Sequence, residues 1–184
     1  MSYLSVVGFL WALWLIYWAV AGARVKTTQW RESGRSHLLH QGPLFVTAAL
    51  LATSHLWPQA LNARFVSDAG AWGLAAVALG LALAVWARHH LGANWSYSVT
   101  LKDHHTLIRS GPYRFVRHPI YSGLLLAIAG TALVIGEWRG LTALGIALSA
   151  LIYKSRVEEK RMRDTFPEYE TYRRTTAALM PFVY

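Results

Sequence analysis

Long runs without a single charged residue constrain this chain more than any other feature. Tyr3 to Ala23, Pro43 to Ala63, Ala69 to Ala87, Pro119 to Gly136 and Gly140 to Tyr153 are all free of Asp, Glu, Lys and Arg. A helix rises about 1.5 Å per residue, so about 20 apolar residues reach across a hydrocarbon core of about 30 Å. The runs predict an all-α, polytopic integral membrane protein with five transmembrane helices. His55, Pro58 and Gln59 interrupt the second run, and a proline lacks the backbone donor a helix needs, so this helix is expected to kink or end near Pro58. Only Glu137, Trp138 and Arg139 separate the fourth run from the fifth, which predicts a tight helical hairpin. The fifth, shortest run can continue past Tyr153 as an amphipathic cytosolic extension. Ala19, Ala21 and Ala23 mimic a signal-peptide cleavage site. No Lys or Arg precedes that run, however, and it is longer than the usual 7–15 residues. It is read as a first span.

Composition agrees. Hydrophobic residues make up 54% of the 184 and charged residues 15%, against about a quarter charged in soluble domains. That excludes intrinsic disorder, which needs low hydrophobicity. The absence of cysteine excludes disulfides, thiolate metal sites, iron–sulfur clusters and cysteine nucleophiles.

The net charge of +9 is read as topology rather than nucleic-acid binding. All of the 18 Lys and Arg residues except Arg64 and Arg139 fall in the connections 24–42 and 88–118 or in the tail from Lys154. Cytosolic loops carry the basic excess, so the N-terminus is placed outside and the C-terminus in the cytosol. Attraction to anionic membrane headgroups is a secondary consequence. The nine Trp, among them Trp11, Trp14 and Trp18 at helical spacing, suit lipid contact and interfacial anchoring. With no repeat or low-complexity linker, residues 1–184 read as one domain, with three spans in 1–87 and the polar, site-bearing half in 88–184.

The dense polar sequence lies in two blocks on one side, Arg88 to Tyr121 and Lys154 to Tyr184. In the first, Gly111-Pro112-Tyr113 is a turn, and Arg117-His118-Pro119 leads into the fourth span. Proline suits the first turn of a helix. The free N–H groups there make a site for a carboxylate or other anionic group. In the second block Lys154 lies one turn before Glu158, so an ion-paired, solvated helix face is one reading. The adjacent acids Glu158 and Glu159 offer another, as acceptors for an amino group or ribose hydroxyls. His37-x-x-His40, His89-His90 and His104-His105 have the flavour of di-iron histidine boxes, but neither doublet has a histidine two or three residues upstream. No metal centre is assigned. No glycine-rich nucleotide fingerprint or phosphate loop is present.

Taken together, His105-Thr106-Leu107-Ile108, Gly111-Pro112-Tyr113 and Arg117-His118-Pro119-x-Tyr121, followed by Glu158-Glu159, Phe166-Pro167-Glu168-Tyr169-x-x-Tyr172 and Pro181-Phe182, resemble the isoprenylcysteine carboxyl methyltransferase family. Membrane phospholipid N-methyltransferases share much of the pattern, which spans Leu91 to Tyr184. The resemblance implies an S-adenosyl-L-methionine-dependent methyltransferase with its cofactor pocket open to the cytosol under the C-terminal segment, its lipophilic substrate arriving from the bilayer. It implies cofactor contacts from Ser98, His105, Thr106, Leu107, Ile108, Tyr113, His118, Pro119, Ile120, Tyr121, Glu158 and Glu159. Where the family often has an arginine that grips a substrate carboxylate, this chain has Lys154. Arg156 is the substitute, on a different face of the helix. Lysine is a point charge without the bidentate fork of arginine. Pro167 stands where the family commonly has glycine.

Methyl transfer from a sulfonium is an in-line displacement. A carboxylate acceptor is already ionised, so positioning and desolvation carry the rate. An amine acceptor must first lose a proton, which calls for a base. No dedicated base is evident, so carboxyl O-methylation of an isoprenylcysteine-like amphiphile is favoured, with phospholipid N-methylation as the alternative. A sterol-reductase-type membrane oxidoreductase and a non-catalytic membrane scaffold are the readings from other classes.

Overall fold

The computed structural model describes residues 1–22, 28–31, 33–92, 100–102 and 107–180, with backbone alone at 28–31 and 100–102. Among the described residues six α-helices carry the fold: α1 (Tyr3–Gly22), α2 (Gly34–Ala52), α3 (Gly70–Leu91), α4 (Pro119–Ile135), α5 (Trp138–Thr165) and the short α6 (Tyr169–Thr175). The fold is all-helical as expected, with one small addition. A two-stranded antiparallel ribbon pairs β1 (Thr28–Arg31) with β2 (Thr100–Lys102), tying the α1–α2 connection to the α3–α4 connection.

The helices alternate in direction. Gly73 and Gly80 of α3 meet Gly130 and Gly123 of α4 in antiparallel order. A Cβ built on Gly80 would lie 2.4 Å from the Gly123 carbonyl oxygen, and one on Gly130 would lie 2.5 Å from that of Gly73. The two backbones therefore touch, the close approach that small residues allow between helices in lipid. α4 ends on Gly136, whose φ of 69° lies in the left-handed region that favours glycine. The chain turns at once into α5, giving the expected hairpin. α1 runs parallel to α3: Tyr3 lies beside Gly70, and Arg88 near the end of α3 donates to the Ala21 carbonyl near the end of α1 at 2.6 Å. Val7, Leu10, Trp11 and Trp14 pack against Val77, Leu81 and Ala127, and the Trp11 indole donates to Thr131 Oγ1 at 3.0 Å. The outward face of α1, with Phe9, Leu13, Leu15, Ile16 and Val20 exposed, is as apolar as the inward one.

α2 departs most from expectation. It spans Gly34–Ala52 rather than Pro43 to Ala63. Ser33 caps its start, accepting from the Ser36 amide at 3.2 Å, so Arg35, His37, His40 and Gln41 lie within the helix. It stops at Thr53, well before Pro58, which heads a single 3-10 turn, Gln59–Asn62. Pro43 sits inside the helix and costs it one hydrogen bond. Arg139 explains the early stop. Its guanidinium donates to the Leu50, Leu51 and Thr53 carbonyls at 2.6, 3.1 and 3.3 Å and pairs with Glu137 at 2.6 Å. It thereby satisfies carbonyls that a helix end leaves without partners.

By length and composition, α1 and α3 are long and apolar enough to cross a membrane, and α4 is apolar but shorter. α5 runs through Lys154 to Thr165 as one helix of 28 residues, so the expected extension is continuous with the apolar part.

Candidate functional site

Pro119 opens α4 with His118 at its cap, and α5 continues past its apolar stretch far enough to set Glu158 and Glu159 beside that opening. His118 Nδ1 lies 3.4 Å from Glu158 Oε2, and Nε2 lies 3.2 Å from Glu159 Oε1. Ionised carboxylates only accept hydrogen bonds, so an imidazole facing one on each nitrogen carries both protons. Tyr121, in the first turn of α4, stacks on His118 with ring centroids 5.3 Å apart and planes 5° from parallel. Its hydroxyl donates to Glu158 Oε1 at 2.6 Å. Lys154 is buried, with its ammonium 5.4 Å from the Tyr121 ring centroid. Arg117 donates through Nε to Glu159 Oε1 at 2.7 Å.

Burial pulls the His118 pKa down, but the hydrogen bonds to Glu158 and Glu159 outweigh it and hold the ring above its ordinary value. Burial pushes both glutamates up. His118, Lys154 and Tyr121 bring Glu158 below the usual carboxylate range. His118 and Arg117 bring Glu159 down to about 2. The two acids are thus ionised and turned inward toward α4, rather than lying on a solvated helix face.

A second, drier layer lies behind this cluster. Tyr113 and Ile120 are buried with Ala87, and Ile108, Tyr121, Trp18 and Leu124 pack around them. The Tyr113 hydroxyl donates to the Ala87 carbonyl at 3.4 Å, and its carbonyl accepts from Tyr172 at 2.5 Å. Burial pushes the Tyr113 hydroxyl well up and Tyr172 to about 12, so both stay protonated. Pro119 is fully buried and Leu107 half-buried. Arg156 is exposed, whereas Lys154 is buried beside Tyr121. Ser98, His105, Thr106, Pro181 and Phe182 lie outside the described residues.

Four residues packed around the cluster carry no assigned role in the sequence. Arg117 was visible only as a neighbour of His118. Ser122 donates to the Leu179 carbonyl at 2.5 Å, which no pattern announced. Tyr169 and Tyr172, known from the sequence only as part of the motif, lie three residues apart on one face of α6 and are both buried.

Comparison with known proteins decides the family. The sequence profile of the isoprenylcysteine carboxyl methyltransferase (ICMT) family matches residues 73–164, from the glycine-packed part of α3 through the glutamate pair. The chain belongs to this family. It is 30% identical over 137 residues to the probable protein-S-isoprenylcysteine O-methyltransferase of Oryza sativa subsp. japonica, covering 72% of this chain and 70% of that one. It is 29% identical over 139 residues to the cobalt-zinc-cadmium resistance protein CzcN of Cupriavidus metallidurans, covering 74% of this chain and 59% of the relative. The solved structure of the eukaryotic intramembrane Ras methyltransferase ICMT shares the fold, with a TM-score of 0.53 at 20% identity, over 83% of this chain and 54% of that one. The chain thus spans little more than half the length of that enzyme, and similarly of CzcN. Family members are methyltransferases, and an ICMT-like fold of apolar helices fits a membrane setting.

Proposed function

We propose that this ICMT-family chain is an integral-membrane, S-adenosylmethionine-dependent methyltransferase acting on a lipophilic acceptor that enters from the bilayer. The favoured reaction is carboxyl O-methylation of an isoprenylcysteine-like amphiphile. In this reading five helices cross the membrane, residues 1–184 act as one unit, and the site faces the cytosol with the C-terminus. The observation that carries it is the convergence of His118, Tyr121, Glu158 and Glu159 where α4 begins.

The donor set suits the cofactor. Ionised Glu158 and Glu159 accept from ammonium and ribose hydroxyl groups, and their charge favours a cationic ligand. The first amides of α4 have no helical partner and favour a carboxylate. Leu107, Ile108, Pro119 and Ile120 supply apolar contact beside them, and Ser98, His105 and Thr106 are assigned by resemblance. When bound, S-adenosylmethionine supplies an electrophilic methyl on a positively charged sulfur. The protein's work is then to hold both reactants in line and exclude water. Buried Lys154 is assigned to the acceptor carboxylate. His118 already holds a proton on each nitrogen between two acids, so it is no free base for an ammonium acceptor. That favours O- over N-methylation.

The test uses purified protein in detergent with methyl-labelled cofactor. Binding is measured first. The protein is then offered an S-prenylated cysteine with a free carboxylate, and separately phosphatidylethanolamine. The expected product is a base-labile methyl ester on the first. Base-stable label on the lipid amine transfers the reading to N-methylation, and folded protein that binds no cofactor at millimolar concentration overturns it.

A further inference from the structure

The chain beyond α6 does not trail away. Residues 176–179 cross the opening of α4: the Arg117 amide donates to the Ala177 carbonyl at 2.9 Å, and the His118 amide to that of Ala178 at 3.0 Å. Val116 and Ala177 form a parallel bridge, and Ser122 reaches the Leu179 carbonyl. Ala178 and Leu179 are buried. This strap lies against the residues that carry His118, and therefore against the glutamate cluster.

Arg117 joins the strap to that cluster. Nε holds Glu159, while Nη1 donates to the carbonyls of Arg173, at 3.0 Å, and Thr176. Its side chain is 8% exposed. The two carbonyls belong to the end of α6, a helix of 7 residues too short to hold itself together and left with unpartnered acceptors. A guanidinium presents several donors in a fixed fork, so one side chain serves a carboxylate on α5 and two carbonyls on α6 at once.

We propose that Arg117 is a positioning residue that latches residues 173–179 over the His118–Glu158–Glu159 cluster, and thereby sets how fast the cofactor exchanges. The exchange part rests on the reading that the cluster holds S-adenosylmethionine. When the strap lifts, Arg117 loses its carbonyl acceptors but keeps Glu159, so the guanidinium stays in place as the post on which the strap closes again.

The experiment uses the full chain in detergent, unaltered and as Arg117→Lys and Ser122→Ala. Lysine keeps the charge beside Glu159 but cannot also span both carbonyls. Release of labelled S-adenosylmethionine into an excess of unlabelled cofactor is followed, together with amide hydrogen exchange without cofactor. Arg117→Lys is expected to speed release about ten-fold, the effect of one charge-assisted hydrogen bond, and to raise exchange within 173–180 while α3 and α4 stay protected. The cofactor KM rises and kcat stays within about three-fold. Ser122→Ala, which touches the strap without touching Glu159, shifts release in the same direction by about three-fold and carries the test if Arg117→Lys does not fold. Unchanged release in either folded variant overturns the latch, as does loosening spread evenly over the helices. If the unaltered protein binds no cofactor, the functional reading falls. Amide exchange then decides the latch alone, and protection of 173–180 that Arg117→Lys leaves unchanged overturns it.

Discussion

His118 stands between two carboxylates, and its charge and theirs are mutually dependent. Glu159, depressed to about 2, contributes stability above its ordinary value of 4.5 and loses it as pH falls toward 2. His118, raised above 6.5, contributes fully below 6.5 and loses its contribution as pH rises through its folded value. The cluster is therefore firmest from about pH 4.5 to 6.5. Thermal unfolding in detergent across pH 2–9 should peak in that window, and His118→Gln should remove the decline on the alkaline side. An unaltered alkaline limb in that variant would assign the decline to another group. At Glu158, replacement by Gln keeps an acceptor for Tyr121 but deletes the charge. Cofactor affinity is expected to fall at least ten-fold, and the melting temperature to fall as well because buried His118 and Lys154 lose a partner; equilibrium dialysis well below the melting temperature separates the two effects. These acids were legible from their adjacency and from the motifs around them. Their inward orientation was not, because a Lys154–Glu158 spacing of four residues is equally that of a solvated ion pair.

Between elements, the α3–α4 contact is made by backbone rather than by side chains. Alanine is the better helix former by about 1 kcal/mol, yet Gly80→Ala places a methyl 2.4 Å from a carbonyl oxygen of α4. Overpacking of this kind costs about 1–3 kcal/mol, so a lowered melting temperature is expected, where propensity alone would raise it. Charge-free runs were a reliable guide to α1, α3 and α4, whose ends fall near the charges or turn residues that bound them. They misplaced α2, because an apolar run ignores what a buried cation can do. Arg139 draws the helix end to Ala52, and Ser33 starts the helix among polar residues. The β1–β2 ribbon was equally illegible, since its strands are short and its pairing joins two connections distant in sequence.

At the scale of the whole molecule, the described helices alternate and bring the start of α2, the end of α3, the start of α4 and α6 to one end, where Arg88, His118 and the glutamates gather. Arg64 and Arg139 lie at the other. The loop charges place the first end in the cytosol, and the chain's lack of cysteine makes that orientation directly testable. Single variants Ser67→Cys and Thr171→Cys should react with a membrane-impermeant thiol reagent from opposite faces, the first on intact cells and the second only after permeabilisation. Labelling of both from one face would overturn the five-span arrangement.

Arg139 also ties the end of α2 to a part of the chain synthesised much later. It contacts Leu50 across 89 residues of sequence, and α2 packs chiefly along α5, where Thr47 donates to the Ala143 carbonyl at 3.3 Å. A ribosome releases α2 long before the hairpin that receives it. Until that hairpin emerges, the terminal carbonyls of α2 have only water or lipid headgroups as partners. The end of α2 thus depends on a side chain made 89 positions later.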